Sequence, residues 1–192
     1  MIQYWEYLQV VIAWLIFGIA HSVLASSLVK EKVNLRPRSY RRLYNVISVF
    51  AVLFIFLLGS TIQPEFLFPK DQSSKAIGLI IATFGFLLAK LAFKPISFSE
   101  FLGIKSETNQ KLITHGIYGR MRHPLYTALI LGIVGFVVFS PTYTNLLHAI
   151  CISFYLFIGI HYEERRLIAH FGKKYEDYKS KTPMLFPTFR RK

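Results

Sequence analysis

Two stretches of this sequence carry residue types that packing alone does not call for. The first runs from Lys111 to Tyr126 and sets Tyr118, Arg120, Arg122 and His123 around Gly116 and Gly119, with Pro124 close to its end. Proline suits the first turn of a helix, where its missing N–H is no loss. His123 then falls at or near the helix cap, beside free backbone donors and the positive end of the dipole. With Arg120 and Arg122 it makes a ready site for an anion. Gly116 and Gly119 let the loop turn tightly against a ligand. The second stretch runs from His161 to Leu167 and holds Glu163, Glu164, Arg165 and Arg166 in succession. Carboxylates near a hydrocarbon layer are costly and tend to be paired or functional. Two readings follow: pairing with the adjacent arginines, or one carboxylate turned inward to take a cationic or hydroxyl-bearing ligand.

Other chemistry has less behind it. His161 and Glu164 stand at i, i+3, but a di-metal bundle needs paired Glu-x-x-His copies and further carboxylates, so no metal site is expected. No Gly-x-Gly-x-x-Gly follows a strand, which removes the Rossmann reading. The single Cys151 excludes a disulfide framework within one chain and reads as a small buried apolar residue.

These residues need a scaffold, and the distribution of apolar residues supplies it. The chain has 192 residues, 53% of them hydrophobic. They come in blocks of roughly 20, the length that crosses a hydrocarbon core of ~30 Å as a helix. Lipid offers no partners for unpaired backbone groups, so the spans must be helical. Five are expected: Tyr7 to Leu28, Leu43 to Ile62, Ala76 to Phe93, Leu125 to Ser140 and Thr144 to Tyr162. Ser140, Pro141 and Thr142 close the fourth, so spans four and five form a tight hairpin. The first span is too long and lacks the basic leader of a signal peptide. Beyond the fifth, Leu167, Ile168, Phe171, Tyr175 and Tyr178 recur at three- and four-residue steps. That pattern predicts an amphipathic tail lying on the membrane surface, interrupted at Gly172 and ended before Pro183, either as a roof over a cytoplasmic site or as an anchor alone. The expected fold is therefore an all-α polytopic membrane protein in a single domain, with three helices in residues 1–95 and the site in residues 96–192.

The net charge of +13 is distributed by side. Six basic residues separate spans one and two, including Arg36, Arg38, Arg41 and Arg42. Six more, among them Lys90, Lys94, Lys105 and Lys111, lie around the end of span three and before span four, and nine follow span five. Only Lys70 and Lys75 lie between spans two and three. The positive-inside rule places the N-terminus outside and the C-terminus in the cytoplasm. The charge thus reports topology and contact with anionic headgroups. No nucleic-acid-binding module accompanies it.

The two chemical stretches together have a familiar order. Gly116, Tyr118, Arg122, His123, Pro124 and Tyr126, then a helical hairpin, then Glu163, Glu164, Leu167, Phe171, Gly172, Tyr175 and Tyr178 with Pro183 and Pro187, resemble the isoprenylcysteine carboxyl methyltransferase superfamily. That superfamily is related to the membrane phospholipid methyltransferases. The likeness covers about Lys111 to Phe189. In the N-terminal half, Phe17, His21, Ser22, Ala25 and Ser26, and then Tyr40, Tyr44 and Asn45, resemble NnrU-like membrane proteins and bacterial methanethiol S-methyltransferases.

The resemblance implies methyl transfer from S-adenosylmethionine to a small or lipophilic acceptor (a thiol, a carboxylate or a lipid-borne group) at the cytoplasmic face of a bacterial inner membrane. It places Leu112 and Ile113 against the cofactor through backbone and apolar surface. Gly116, Tyr118, Arg122, His123, Pro124, Leu125 and Tyr126 complete that pocket, and Glu163 takes a polar group. It also implies catalytic roles for Glu163, Glu164 and Arg166, and an acceptor pocket near His21 and Tyr44, although His21 reads equally as a histidine bonded to a neighbouring helix. Carboxyl methyltransferases of this group usually carry an arginine where this chain has Gly159. Carboxyl methylation of a prenylated cysteine is therefore not expected unless Arg165 or Arg166 substitutes. The alternative implied by the N-terminal likeness is a non-catalytic NnrU-like membrane partner or assembly factor.

Overall fold

The computed structural model describes residues 2–33, 35–96 and 111–187. Lys105, Phe189 and the basic residues Arg190, Arg191 and Lys192 lie outside the described residues. Helices dominate: α1 Ile2–Ala25, α2 Ser27–Lys32, α3 Pro37–Ser60, α4 Gln72–Phe93, a 3-10 turn Gly116–Gly119, α5 Pro124–Phe139, α6 Tyr143–Phe171 and α7 Lys173–Lys181. α1, α3, α4 and α6 are long and apolar enough to cross a membrane, while α5 is a shorter apolar helix. Large side chains such as Phe50, Phe54, Leu57, Phe84 and Phe86 are more than half exposed. An apolar exterior of this extent is stable only against lipid. The chain is an all-α polytopic membrane protein.

The helices begin and end where capping chemistry dictates, not where hydropathy changes. α3 starts at Pro37, a first-turn proline, well before the expected Leu43. α4 starts at Gln72 rather than Ala76, because the Asp71 carboxylate accepts from the Ser74 N–H at 2.7 Å and caps the free end. α1 stops at Ala25, before the expected Leu28. The largest correction concerns α6. It passes Tyr162 and continues to Phe171, since nothing between Glu163 and Phe171 breaks a helix. Glu163 and Glu164 therefore lie within a helix, not at its unfavourable carboxyl end. Leu167, Ile168 and Phe171 belong to α6 rather than to a surface tail. The break comes at Gly172, whose φ of 57° is a left-handed conformation suited to glycine, and α7 follows.

The chain separates into two compact units, and α6 belongs to the first up to Ile152 and to the second from Ser153. In the first, Val10 and Trp14 of α1 pack with Ile55 and Ile62, and Leu147 and Cys151 of α6 lie against them. His148 is buried there: it accepts from the Trp14 indole N–H at its Nδ1, 2.9 Å away, and stacks on Phe56. Glu65 and Leu67 hydrogen-bond to Tyr143 and Pro141 around an isolated bridge between Phe66 and Thr142.

The second unit is built on α4 and α5. Gly78, Ala82 and Gly85 of α4 meet Ala128, Gly135 and Phe139 of α5 almost backbone to backbone. A Cβ at Gly135 would stand 2.6 Å from the Ala82 nitrogen and 2.7 Å from the Gly78 oxygen. In lipid, helices gain little from hydrophobic burial and pair through such close van der Waals contact. This pairing positions Pro124, the first residue of α5, and with it Arg122 and His123.

Candidate functional site

The two adjacent glutamates of α6 have opposite surroundings. Glu164 is buried and fully engaged. Its Oε1 accepts from Arg122 Nε at 2.7 Å and lies 2.6 Å from Arg122 Nη2, with His123 Nε2 at 3.2 Å. Its Oε2 pairs with Lys179 of α7 at 2.6 Å. A buried carboxylate survives only with such matching, because desolvation of an unpaired ion costs several kcal/mol, roughly.

The same cations are tied to the C-terminal segment. Arg122 Nη1 donates to the carbonyls of Thr182 and Lys179. The Arg122 N–H donates to the Pro183 carbonyl at 2.9 Å, and the His123 N–H to the Met184 carbonyl at 3.0 Å. Thr127 Oγ1 donates to the Leu185 carbonyl at 2.8 Å. The chain's own carbonyls and carboxylate thus occupy the donors just before α5 that sequence reading offered to an external anion. Pro124 is fully buried at this point.

Glu163 is different. Among the described residues no cation lies within ion-pair distance of it, and its carboxylate accepts one hydrogen bond, from the Tyr126 hydroxyl to Oε2 at 2.7 Å. It lines a cavity of about 150 Å³. Leu112, Ile113, Tyr118 and Arg122 share the wall, as do Lys111, Leu167, Phe171, Tyr175 and Tyr178. The Tyr178 hydroxyl donates to the Tyr118 carbonyl at 2.6 Å, which fastens α7 to the 3-10 turn. Burial, aided by the charge of Glu163, holds the Tyr118 phenol well above its ordinary range. Burial likewise pushes Tyr178 up to about 12. Both remain neutral donors at physiological pH. The Tyr175 hydroxyl is buried with no hydrogen-bond partner among the described residues.

The remaining sequence candidates fall in several places. Gly116 lines a separate cavity of about 590 Å³ with Leu91, Lys94, His115 and Arg120. His123 and Tyr126 make an edge-on ring contact, but neither they nor Pro124 and Leu125 belong to the wall of the smaller cavity. Arg165 and Arg166 are exposed. A Cβ at Gly159 would stand 3.5 Å from the Tyr126 hydroxyl, so the ring of Tyr126 occupies the space beside that position. His161 is exposed and apart from the groups around Glu164, and no three metal-ligand side chains gather among the described residues.

His21 and Tyr44 are brought together in the first unit, 5.8 Å apart and edge-on. His21 Nδ1 lies 2.7 Å from Ser48 Oγ, whose own proton goes to the Tyr44 carbonyl. His21 is therefore the donor of that pair. Sequence reasoning missed Lys179 as a partner of Glu164, and left open whether Phe171, Tyr175 and Tyr178 roof a site or only anchor the chain; they line the cavity. The three-and-four spacing of those aromatics indicated an amphipathic face, but not whether that face meets lipid or a cavity.

The family profile described as phospholipid methyltransferase matches residues 73–174, and the chain belongs to that family. Among its relatives is a methanethiol S-methyltransferase from a Pseudomonas species, 30% identical over 185 residues, which cover 90% of this chain and 70% of the relative. Methanethiol S-methyltransferase 1 of Bradyrhizobium diazoefficiens is 28% identical, over 90% of this chain and 64% of its own length. A probable protein-S-isoprenylcysteine O-methyltransferase of Oryza sativa is 36% identical over 109 residues, 55% of this chain. That match spans just over half, 56%, of the rice protein.

Proposed function

We propose that this chain transfers a methyl group from S-adenosylmethionine to a small or lipophilic acceptor at the cytoplasmic face of the membrane, with its N-terminus outside and residues 96–192 carrying the cofactor-binding core. The observation behind this reading is Glu163: a carboxylate on a cavity wall, in no ion pair among the described residues, beside Tyr118, Phe171, Tyr175 and Tyr178. Carboxylates and aromatic faces both attract cations, and the attraction grows where water is excluded. S-adenosylmethionine brings an ammonium and a sulfonium, and when bound it supplies a methyl group already activated for transfer.

The protein's share is positional. Leu112 and Ile113 offer apolar surface, Glu163 takes a cationic or hydroxyl group, and Lys111 offers the cavity a positive charge. Glu164 acts on Arg122 and His123 and so holds the cavity's shape. Exposed Arg166 has no assigned contact with the reacting atoms. Orientation and exclusion of water account for most of the acceleration such a direct displacement needs.

Isothermal titration of the purified protein with S-adenosylhomocysteine tests the reading. Wild type should bind, and Glu163→Gln should bind at least tenfold more weakly, the equivalent of about 1.4 kcal/mol lost from a charged hydrogen bond. No binding by wild type sinks the proposal. Labelled methyl transfer to methanethiol, a prenylated cysteine and membrane lipid would then separate the acceptor classes, and binding without transfer to any of them would favour the non-catalytic reading.

A further inference from the structure

We propose that Tyr126 is a positioning residue that acts on the ligand through Glu163 rather than by touching it. This rests on the reading of Glu163 as a cofactor-binding carboxylate. The Tyr126 hydroxyl donates to Glu163 Oε2 at 2.7 Å. The cavity wall includes Glu163 but not Tyr126. Among the described residues Glu163 has no other hydrogen bond and no ion pair, so this bond alone anchors the carboxylate.

A glutamate side chain has three rotatable bonds, and fixing the whole side chain costs up to roughly 2 kcal/mol of rotamer entropy. Tyr126 is held on the first turn of α5, behind Pro124, with its ring against His123. A carboxylate fastened to so fixed a donor has lost that freedom before any ligand arrives. One oxygen is taken and Oε1 is left to the cavity. Binding is then paid in advance, in the sense that preorganisation gives affinity without adding a contact. A Cβ at Gly159 would stand 3.5 Å from the Tyr126 hydroxyl, an ordinary contact, so that hydroxyl lies close against α6.

A double-mutant cycle on the full-length protein tests this, with S-adenosylhomocysteine affinity as the readout. Tyr126→Phe removes one hydroxyl and keeps the ring, and should bind about tenfold more weakly than wild type with little change in unfolding midpoint. In the Glu163→Gln background the same change should have almost no further effect, since the residue through which Tyr126 acts has already lost its charge. Unchanged affinity of Tyr126→Phe would overturn the inference, as would effects of the two substitutions that multiply. Absence of binding by wild type would bring down the cofactor reading itself, and this inference with it.

Discussion

Glu164→Ala is expected to destabilise the protein by about 3 kcal/mol, near the lower end for breaking a buried ion pair. It leaves Arg122 and His123 largely buried without their shared acceptor, whereas Lys179, with its side chain 42% exposed, recovers solvation from water. The loss should appear as a lower unfolding midpoint in detergent. Since Arg122 also holds the carbonyls of Lys179 and Thr182, the C-terminal segment should loosen as well, with faster proteolysis beyond Gly172. Glu163→Gln should lower ligand affinity and leave the midpoint almost unchanged. Neighbouring carboxylates would then divide cleanly, one acting on stability and the other on binding. Equal effects of both substitutions on the midpoint would contradict the division.

The second large effect is expected at Gly135. A valine there puts its Cβ within 2.6–2.7 Å of backbone atoms of Ala82 and Gly78, which cannot rotate out of the way. Overpacking of this kind usually costs about 1–3 kcal/mol, and a clash with backbone belongs at or beyond the upper end. The α4–α5 pair should separate, with loss of monodisperse protein in size-exclusion chromatography. Gly132 is the control, because nothing lies within 4 Å of its Cβ position. Gly132→Ala should leave the protein folded and gain up to about 1 kcal/mol of helix propensity. A folded, stable Gly135→Val variant would show that the close approach is not required.

The architecture was legible because a bilayer imposes it. Span-length apolar blocks, Pro141 between the last two of them and Gly172 after them were readable as they stand. Helix ends were less so. Hydropathy marks where lipid begins, while Pro37, Asp71 and Gly172 mark where hydrogen-bonded turns begin and stop. In the candidate site, chemistry identified the glutamate pair but could not assign partners within it. Glu163 and Glu164 are one residue apart, so a rotation of about 100° along the helix separates a cavity-facing carboxylate from a buried ionic one. Which is which depends on Lys179, on the far side of the turn at Gly172, and on Tyr126, on a different helix. Nothing local in the sequence records either partner. The small residues of α4 and α5 were on view throughout, but their meaning depends on which two helices touch.

α5 has sixteen residues. At 1.5 Å per residue it rises about 24 Å, some 6 Å less than a hydrocarbon layer of ~30 Å. To cross a bilayer, such a helix must thin the membrane beside it or draw its flanking residues below the headgroups. Arg122 and His123 flank one end, where Glu164 and the carbonyls of Lys179, Thr182, Pro183 and Met184 take their hydrogen bonds. The mismatch therefore falls on groups already insulated from the lipid.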